Sequence, residues 1–132
     1  MAEYQLPETL RYTREDEWLR PAEDGSAVVG ITDYAQQQLG DVVFVELPEP
    51  GAVLQQGEAC GAIESVKTVA ELFAPVSGEV ARCNQELAQR PEAVNEDCYG
   101  GGWILAMVPS QPAELDGLLD AAAYAQHIAD RE

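Results

Sequence analysis

The sequence predicts a mainly β fold, a β-sandwich or small barrel with short helices and a helical C-terminus. Three observations carry this. Short runs rich in β-branched and aromatic residues recur along the 132 residues, each bounded by glycine, proline or Asp-Gly turn signals. Helical periodicity is confined to brief stretches and to the C-terminal end. The length, with 46% hydrophobic residues, suits one domain over 1–132 that can bury an ordinary core.

The first hairpin is expected from Glu17-Trp18-Leu19-Arg20 and 26–31, which flank Glu23-Asp24-Gly25, where Asp-Gly supplies the positive φ of a tight turn. Thr32 can then cap a short helix with Ala35 and Leu39 one turn apart on its buried face and Gly40 as terminator. Residues 41–47 alternate as a strand with Val43, Val45 and Leu47 on one face, stopped by Pro48-Glu49-Pro50-Gly51. Gln55-Gln56-Gly57 turns the chain into a hairpin of 59–63 and 69–73, and 75–78 makes a further turn before a strand at 79–83. Two hairpin units thus echo one another loosely. A capped helical turn at 85–88, halted by Arg90-Pro91, is followed by a polar loop to Tyr99 and the Gly100-Gly101-Gly102 turn. Residues 103–108, apolar on both faces, predict a buried strand ended by Pro109. Pro112 opens a helix carrying Leu115, Leu118 and Leu119. Tyr124 and Ile128 sit one turn apart near the end, so 112–130 should be helical and pack on the sheets.

Composition narrows the function classes. A formal net charge of −17 repels nucleic acid and anionic membranes and favours transient encounters with basic surfaces, and it favours a monomer. The opening residues carry an acid at position 3 and neither an apolar signal core nor an arginine-rich presequence, and no apolar run could span a bilayer, so a cytoplasmic protein is expected. Cys60, Cys83 and Cys98 are odd in number and form no Cys-x-x-Cys pair, which points to reduced, mostly packed thiols and to no metal site. His127 is the only histidine and has no triad or elbow context, so a surface role outweighs a catalytic one.

Lys67, in Glu64-Ser65-Val66-Lys67-Thr68-Val69, is the only lysine. The flanking strands place it near a hairpin tip, where its side chain projects into solvent while two strands hold its backbone. That geometry suits covalent modification: a lysine amine forms a stable amide once an enzyme presents an activated acyl donor. For an arbitrary lysine the plainer reading, a polar turn residue, is the commoner one.

Around Lys67 the Glu-Ser-Val-Lys core, followed by Ala74-Pro75-Val76-Ser77-Gly78-Glu79-Val80, resembles the lipoyl-lysine segment of glycine cleavage system H proteins. The resemblance extends through Tyr12-Thr13, Glu17-Trp18, 30–36, 39–48, Val94-Asn95-Glu96-Asp97, Tyr99-Gly100, Gly102-Trp103 and Pro112-Ala113-Glu114-Leu115, which is nearly the whole chain. It implies the barrel-sandwich hybrid of lipoyl and biotinyl domains, lipoic acid in amide linkage on Lys67, and Glu64, Ser65 and Val66 as residues read by the lipoylating enzyme. It also implies a carrier that is not itself an enzyme. A pyridoxal-phosphate glycine decarboxylase (P protein) loads the aminomethyl group of glycine, a folate-dependent aminomethyltransferase (T protein) removes it, and dihydrolipoyl dehydrogenase (L protein) takes the electrons. Lipoate-attaching enzymes are the remaining partners.

By the same resemblance Glu17 and Glu71 lie near the loaded arm, where a carboxylate can pair with the aminomethyl ammonium and keep water from it; as ordinary exposed acids they would do neither. Asp16 stands where the family often has histidine, so the usual His-Glu-Trp is incomplete. An extra acid there would either hold an ammonium more tightly or leave the site wetter. Cys98 replaces a common proline, and Gln111 is a poor helix cap. Four other readings compete: a biotin carrier, disfavoured because the lysine lacks flanking methionines; a lipoyl domain of a 2-oxoacid dehydrogenase, disfavoured because the chain lacks an Ala/Pro linker and catalytic domain; a lipoyl relay protein donating lipoate to other complexes; and an interaction module with Lys67 unmodified.

Overall fold

Alternating strand runs and glycine turns fold into two antiparallel sheets in the computed structural model, which describes residues 4–131. The sequence reading of Met1–Glu3 as free of a leader lies outside the described residues. In chain order the strands are β1 (Arg11–Tyr12), β2 (Glu17–Pro21), β3 (Ala27–Ile31), β4 (Val42–Glu46), β5 (Val53–Leu54), β6 (Ala59–Ser65), β7 (Val69–Phe73), β8 (Gly78–Cys83) and β9 (Leu105–Pro109). One sheet runs β1-β2-β3-β9-β8-β5 and the other β4-β6-β7. Among the described residues four α-helices accompany them: α1 (Asp33–Leu39), α2 (Ala93–Glu96), α3 (Ala113–Asp116) and α4 (Ala121–Arg131). The arrangement is that of a barrel-sandwich hybrid, and no helix among the described residues is long and apolar enough to cross a membrane.

Apolar residues of the two sheets meet in one core, with Leu19, Val29 and Ile31 from one side and Val45, Ile63 and Leu72 from the other. The opposite face of β1–β3 is also covered. There Tyr12 and Trp18 pack against Tyr124 and Ile128 of α4, and the Tyr12 and Tyr124 rings stack at 4.8 Å. β2 is therefore buried on both faces, with Trp18 outward beside Tyr99 and Leu19 inward, as the period of two requires. Trp18 lies flat on its cross-strand partner Gly30, whose missing Cβ would sit 2.7 Å from the indole ring. Trp18 Nε1 donates to the Cys98 carbonyl at 3.0 Å.

Several expectations hold at the level of single bonds. Thr32 caps α1 by accepting from the Ala35 N–H, and Gly40 ends it at φ 77°. Gly25 adopts φ 89° in the first hairpin, and Asn84 caps the 3-10 turn Gln85–Ala88. Cys60, Cys83 and Cys98 are free thiols, two of them buried.

Others do not hold. Val43 does not join Val45 on the inner face: a bulge between Val42 and Phe44 turns Val42 inward and leaves Val43 half exposed. The polar loop after Pro91 contains α2, because Val94 is fully buried and anchors a helical turn. The last strand begins at Leu105, not Trp103, and Val108 is half exposed on its outer face. Gly102 is more than a flexible turn, since a Cβ there would meet the Ala93 carbonyl at 2.5 Å. The helix expected to carry Leu115 through Leu119 breaks after Asp116, because Leu119 leaves it to exchange two backbone hydrogen bonds with Tyr12, each 2.8 Å. Asp120 restarts the helix by accepting from the Ala123 N–H at 2.8 Å.

Candidate functional site

Lys67 sits at the tip of the β6–β7 hairpin, whose last paired residues are Glu64 and Val69. Ser65 builds the turn. Its hydroxyl accepts from the N–H groups of Lys67 (3.3 Å) and Thr68 (3.1 Å) and donates to the Thr68 carbonyl (3.2 Å), while the Ser65 N–H donates to the same carbonyl at 2.8 Å. Small, polar and nearly buried, Ser65 does for this tip what a backbone group would do in a regular turn. Val66, Lys67 and Thr68 are all exposed, and none of the ion pairs among the described residues involves Lys67.

A second support reaches the tip from the side. The Val66 N–H donates to the Asp41 carbonyl at 3.1 Å, and the segment containing Asp41 is stapled by Asn95 of α2. Asn95 Oδ1 accepts from the Val42 N–H at 2.9 Å, and its Nδ2 donates to the Gly40 carbonyl at 2.8 Å and to Gln36 Oε1 at 3.1 Å. The aliphatic stem of Lys67 lies beside Gly40, with Cε 3.6 Å from where a Cβ on that glycine would be. Gly40 thus serves twice, in a positive-φ helix stop and as a flat surface under the lysine stem.

Beside the hairpin opens a cleft of about 190 Å³, lined by Asp16, Glu17, Ile31, Ala35, Leu39, Ile63, Thr68, Ala70 and Glu71 among others. Its walls are mostly apolar because β3 and β6 turn their inner faces to it and α1 supplies Ala35 and Leu39. Glu17 and Glu71 both border this cleft, but in different states. Glu17 is 1% exposed. Its Oε1 accepts from the Thr13 hydroxyl at 2.6 Å and its Oε2 from the Phe73 N–H at 3.1 Å, so the side chain bridges β2 of one sheet to β7 of the other. Burial pushes its pKa up to about 8, against the opposing pull of those two bonds, and the nearby Glu15 and Asp16 charges add to the rise. Glu71 is exposed and stands in the cross-strand row Glu46–Ala62–Glu71.

Asp16 adopts φ 75°. Its Oδ1 accepts from the Tyr124 hydroxyl (2.9 Å) and from Arg131 (2.6 Å), which ties α4 to the cleft rim. Cys60 is held as a thiol, with its pKa pushed up to about 12 by burial and by the charges of Glu17 and Glu58.

Asn95, Gly40 and the apolar cleft walls were not singled out as site residues in the sequence. Asn95 lies in a matched motif, but its three partners are more than fifty residues away, and no local pattern reports them. Among the described residues no group of three or more histidine, cysteine or acidic side chains is arranged to hold a metal. His127 contacts the Arg14 carbonyl at 3.0 Å. The arrangement offers a rigidly presented, unpaired amine and an adjacent small cleft.

A family model described as glycine cleavage H-protein matches residues 10–131. The chain is 56% identical over 126 residues to a glycine cleavage system H protein of Halorhodospira halophila, covering 96% of this chain and 97% of that one. It is 54% identical over 129 residues to one of Anaeromyxobacter sp. strain K, covering 97% and 99%. A crystal structure of a glycine cleavage system H protein from Mycobacterium marinum superposes with a TM-score of 0.86 at 39% identity, over 94% of this chain and 99% of that chain.

Proposed function

The chain belongs to the glycine cleavage H-protein family, and from that premise we propose that it is a lipoyl carrier bearing lipoic acid in amide linkage on Lys67. The observation that carries this reading is the single lysine held at a doubly supported hairpin tip, its stem free of ion pairs, beside a cleft with apolar walls. Those residues fit the group: an exposed amine to receive the acyl chain, and a small apolar cavity within the reach of a long flexible arm.

When attached, the dithiolane supplies the group-carrying and electron-carrying chemistry. The chain's own residues present, shelter and orient. Ser65 fixes the turn so that the lysine stem leaves the protein in one direction, and tethering raises the effective concentration of the arm at each docked enzyme. Ile31, Ala35, Leu39, Ile63 and Ala70 give the cleft an apolar wall against which an arm can pack. Glu17, neutral at pH 7 in the absence of a nearby cation, is placed to ionise against an ammonium entering the cleft, because a neighbouring positive charge lowers a carboxyl pKa. Glu71 stands at the cleft edge as a solvated second acid. Glu64, Ser65 and Val66 are the residues met by lipoate-attaching enzymes.

On this reading the aminomethyl group of glycine passes from the P protein to the T protein and electrons pass to the L protein, with this chain contributing no catalysis of its own. The test is glycine-dependent exchange of labelled bicarbonate by a glycine decarboxylase, comparing lipoylated wild type with Lys67→Arg. Exchange with the wild type and none with the variant is expected; no exchange from a verified lipoylated wild type would overturn the glycine-cleavage role and favour a lipoyl relay.

A further inference from the structure

The outer face of the β4-β6-β7 sheet carries apolar side chains that nothing among the described residues covers. Register places Phe44 opposite Glu64 and Glu64 opposite Val69, so the three share one row on that face, next to the hairpin tip. Phe44 is 49% exposed and Val69 60%. Val43 at the bulge and Val66 at the tip, 51% and 71% exposed, extend the patch around Lys67. The next row on the same face is Glu46–Ala62–Glu71. The three strands contain no arginine, so Glu46, Glu64 and Glu71 frame the apolar strip in negative charge alone.

We propose that Phe44 and Val69, with the acids around them, form the docking surface for the enzyme that acylates Lys67. The occupant is an apolar ridge flanked by arginine or lysine side chains at the mouth of that enzyme's active site. This rests on the lipoyl-carrier reading and deepens it. The lysine must enter another protein's active site with its hairpin, so the surface continuous with the hairpin is brought against the partner. The acylating enzyme meets the chain with Lys67 unmodified. In the step it catalyses, the ε-amine attacks the acyl carbon of an acyl adenylate, the amide forms, and AMP and the amine's proton leave. Docking contributes only the placement of the amine. Carboxylates around an apolar centre match a basic rim, and they steer association more than they hold the complex.

The fold contains its own control. In the other sheet Val53 pairs with Glu79 and Glu79 with Val108, giving a second row of valine, glutamate and valine with comparable exposure but not beside Lys67. If exposed valines beside a glutamate were merely how the outer rows of this fold are built, the two rows would be equivalent.

The experiment measures the rate of lipoyl mass gain on the purified unmodified protein with a lipoate ligase, lipoate and ATP, at varied protein concentration. Phe44→Asp and Val69→Asp are expected to raise the KM for the protein about tenfold with kcat within twofold, and Val69→Ile to behave as wild type. Val108→Asp is expected to leave KM unchanged. A wild-type KM in both Phe44→Asp and Val69→Asp, or an equal defect in Val108→Asp, would overturn the proposal. Melting curves separate a docking defect from unfolding, and little unfolding is expected because each replaced side chain is about half solvent-facing or more. A wild type that gains no mass at all would instead strike the carrier reading, and so the two failures are distinguishable.

Discussion

Replacing Glu17 by glutamine is expected to stabilise the protein at alkaline pH and to leave it almost unchanged near pH 5. The carboxyl is 1% exposed and bonded to Thr13 and Phe73, so two effects compete: burial favours the neutral acid, and the two donors favour the carboxylate. The outcome, a rise from the ordinary 4.5 to about 8, says that burial wins. The sign follows directly. Between pH 4.5 and 8 the folded protein keeps a proton that the unfolded chain has released, so the contribution to stability is full below pH 4.5 and is lost as pH rises to about 8. At 1.36 kcal/mol per pH unit the loss is of order 5 kcal/mol, and 3 to 5 kcal/mol is a reasonable span, about what one badly placed buried charge costs. Glutamine has the same shape and no charge. Its amide can donate to the Thr13 hydroxyl and its carbonyl can accept from the Phe73 N–H, so both links between the sheets survive. The assay is urea unfolding of wild type and variant, followed by tryptophan fluorescence at pH 5, 7 and 9. Taking the difference between the two removes the general effect of the −17 charge. A difference growing from near zero at pH 5 to several kcal/mol in favour of the variant at pH 9 is expected. A difference that does not change with pH would refute the reasoning, because Glu17 would then be ionised throughout and its two donors would outweigh burial.

Two further outcomes follow from the packing. Asn95→Ala leaves the Val42 N–H and the Gly40 carbonyl without their partners; a loss of about 2 kcal/mol in urea unfolding is expected, together with faster hydrogen exchange at the Val66 amide, and unchanged exchange there would show that the staple does not reach the hairpin. Gly30→Ala places a methyl group 2.7 Å from the Trp18 ring; displacement of the indole and a loss of about 2 to 3 kcal/mol are expected, read by a shift in tryptophan emission and a lower melting temperature, whereas a wild-type spectrum would mean that the ring moves aside freely.

Much of the architecture was legible because it is written locally. The Thr32 cap, the Gly40 stop and the Asp24-Gly25 turn each depend on residues a few positions apart. The site was legible in part for the same reason: Lys67 and the Ser65 turn lie in one short stretch between two runs with strand character. Where reading failed, the deciding contact was distant. Leu119 leaves its helix to pair with Tyr12. Val43 faces out because the β4–β6 register slips by one residue. α2 forms because Val94 is taken into the core.

By itself the sequence determined most of the element types, the hairpin that presents Lys67 and the family to which the chain belongs, since propensity, turn chemistry and motif are properties of neighbouring residues. Only the tertiary structure decided the electrostatic state of Glu17, the tie between Asp16 and Arg131, and the support of the hairpin by Asn95. Each of these depends on which groups meet across the fold and on how much water they lose, and both are set when the two sheets and α4 close over them.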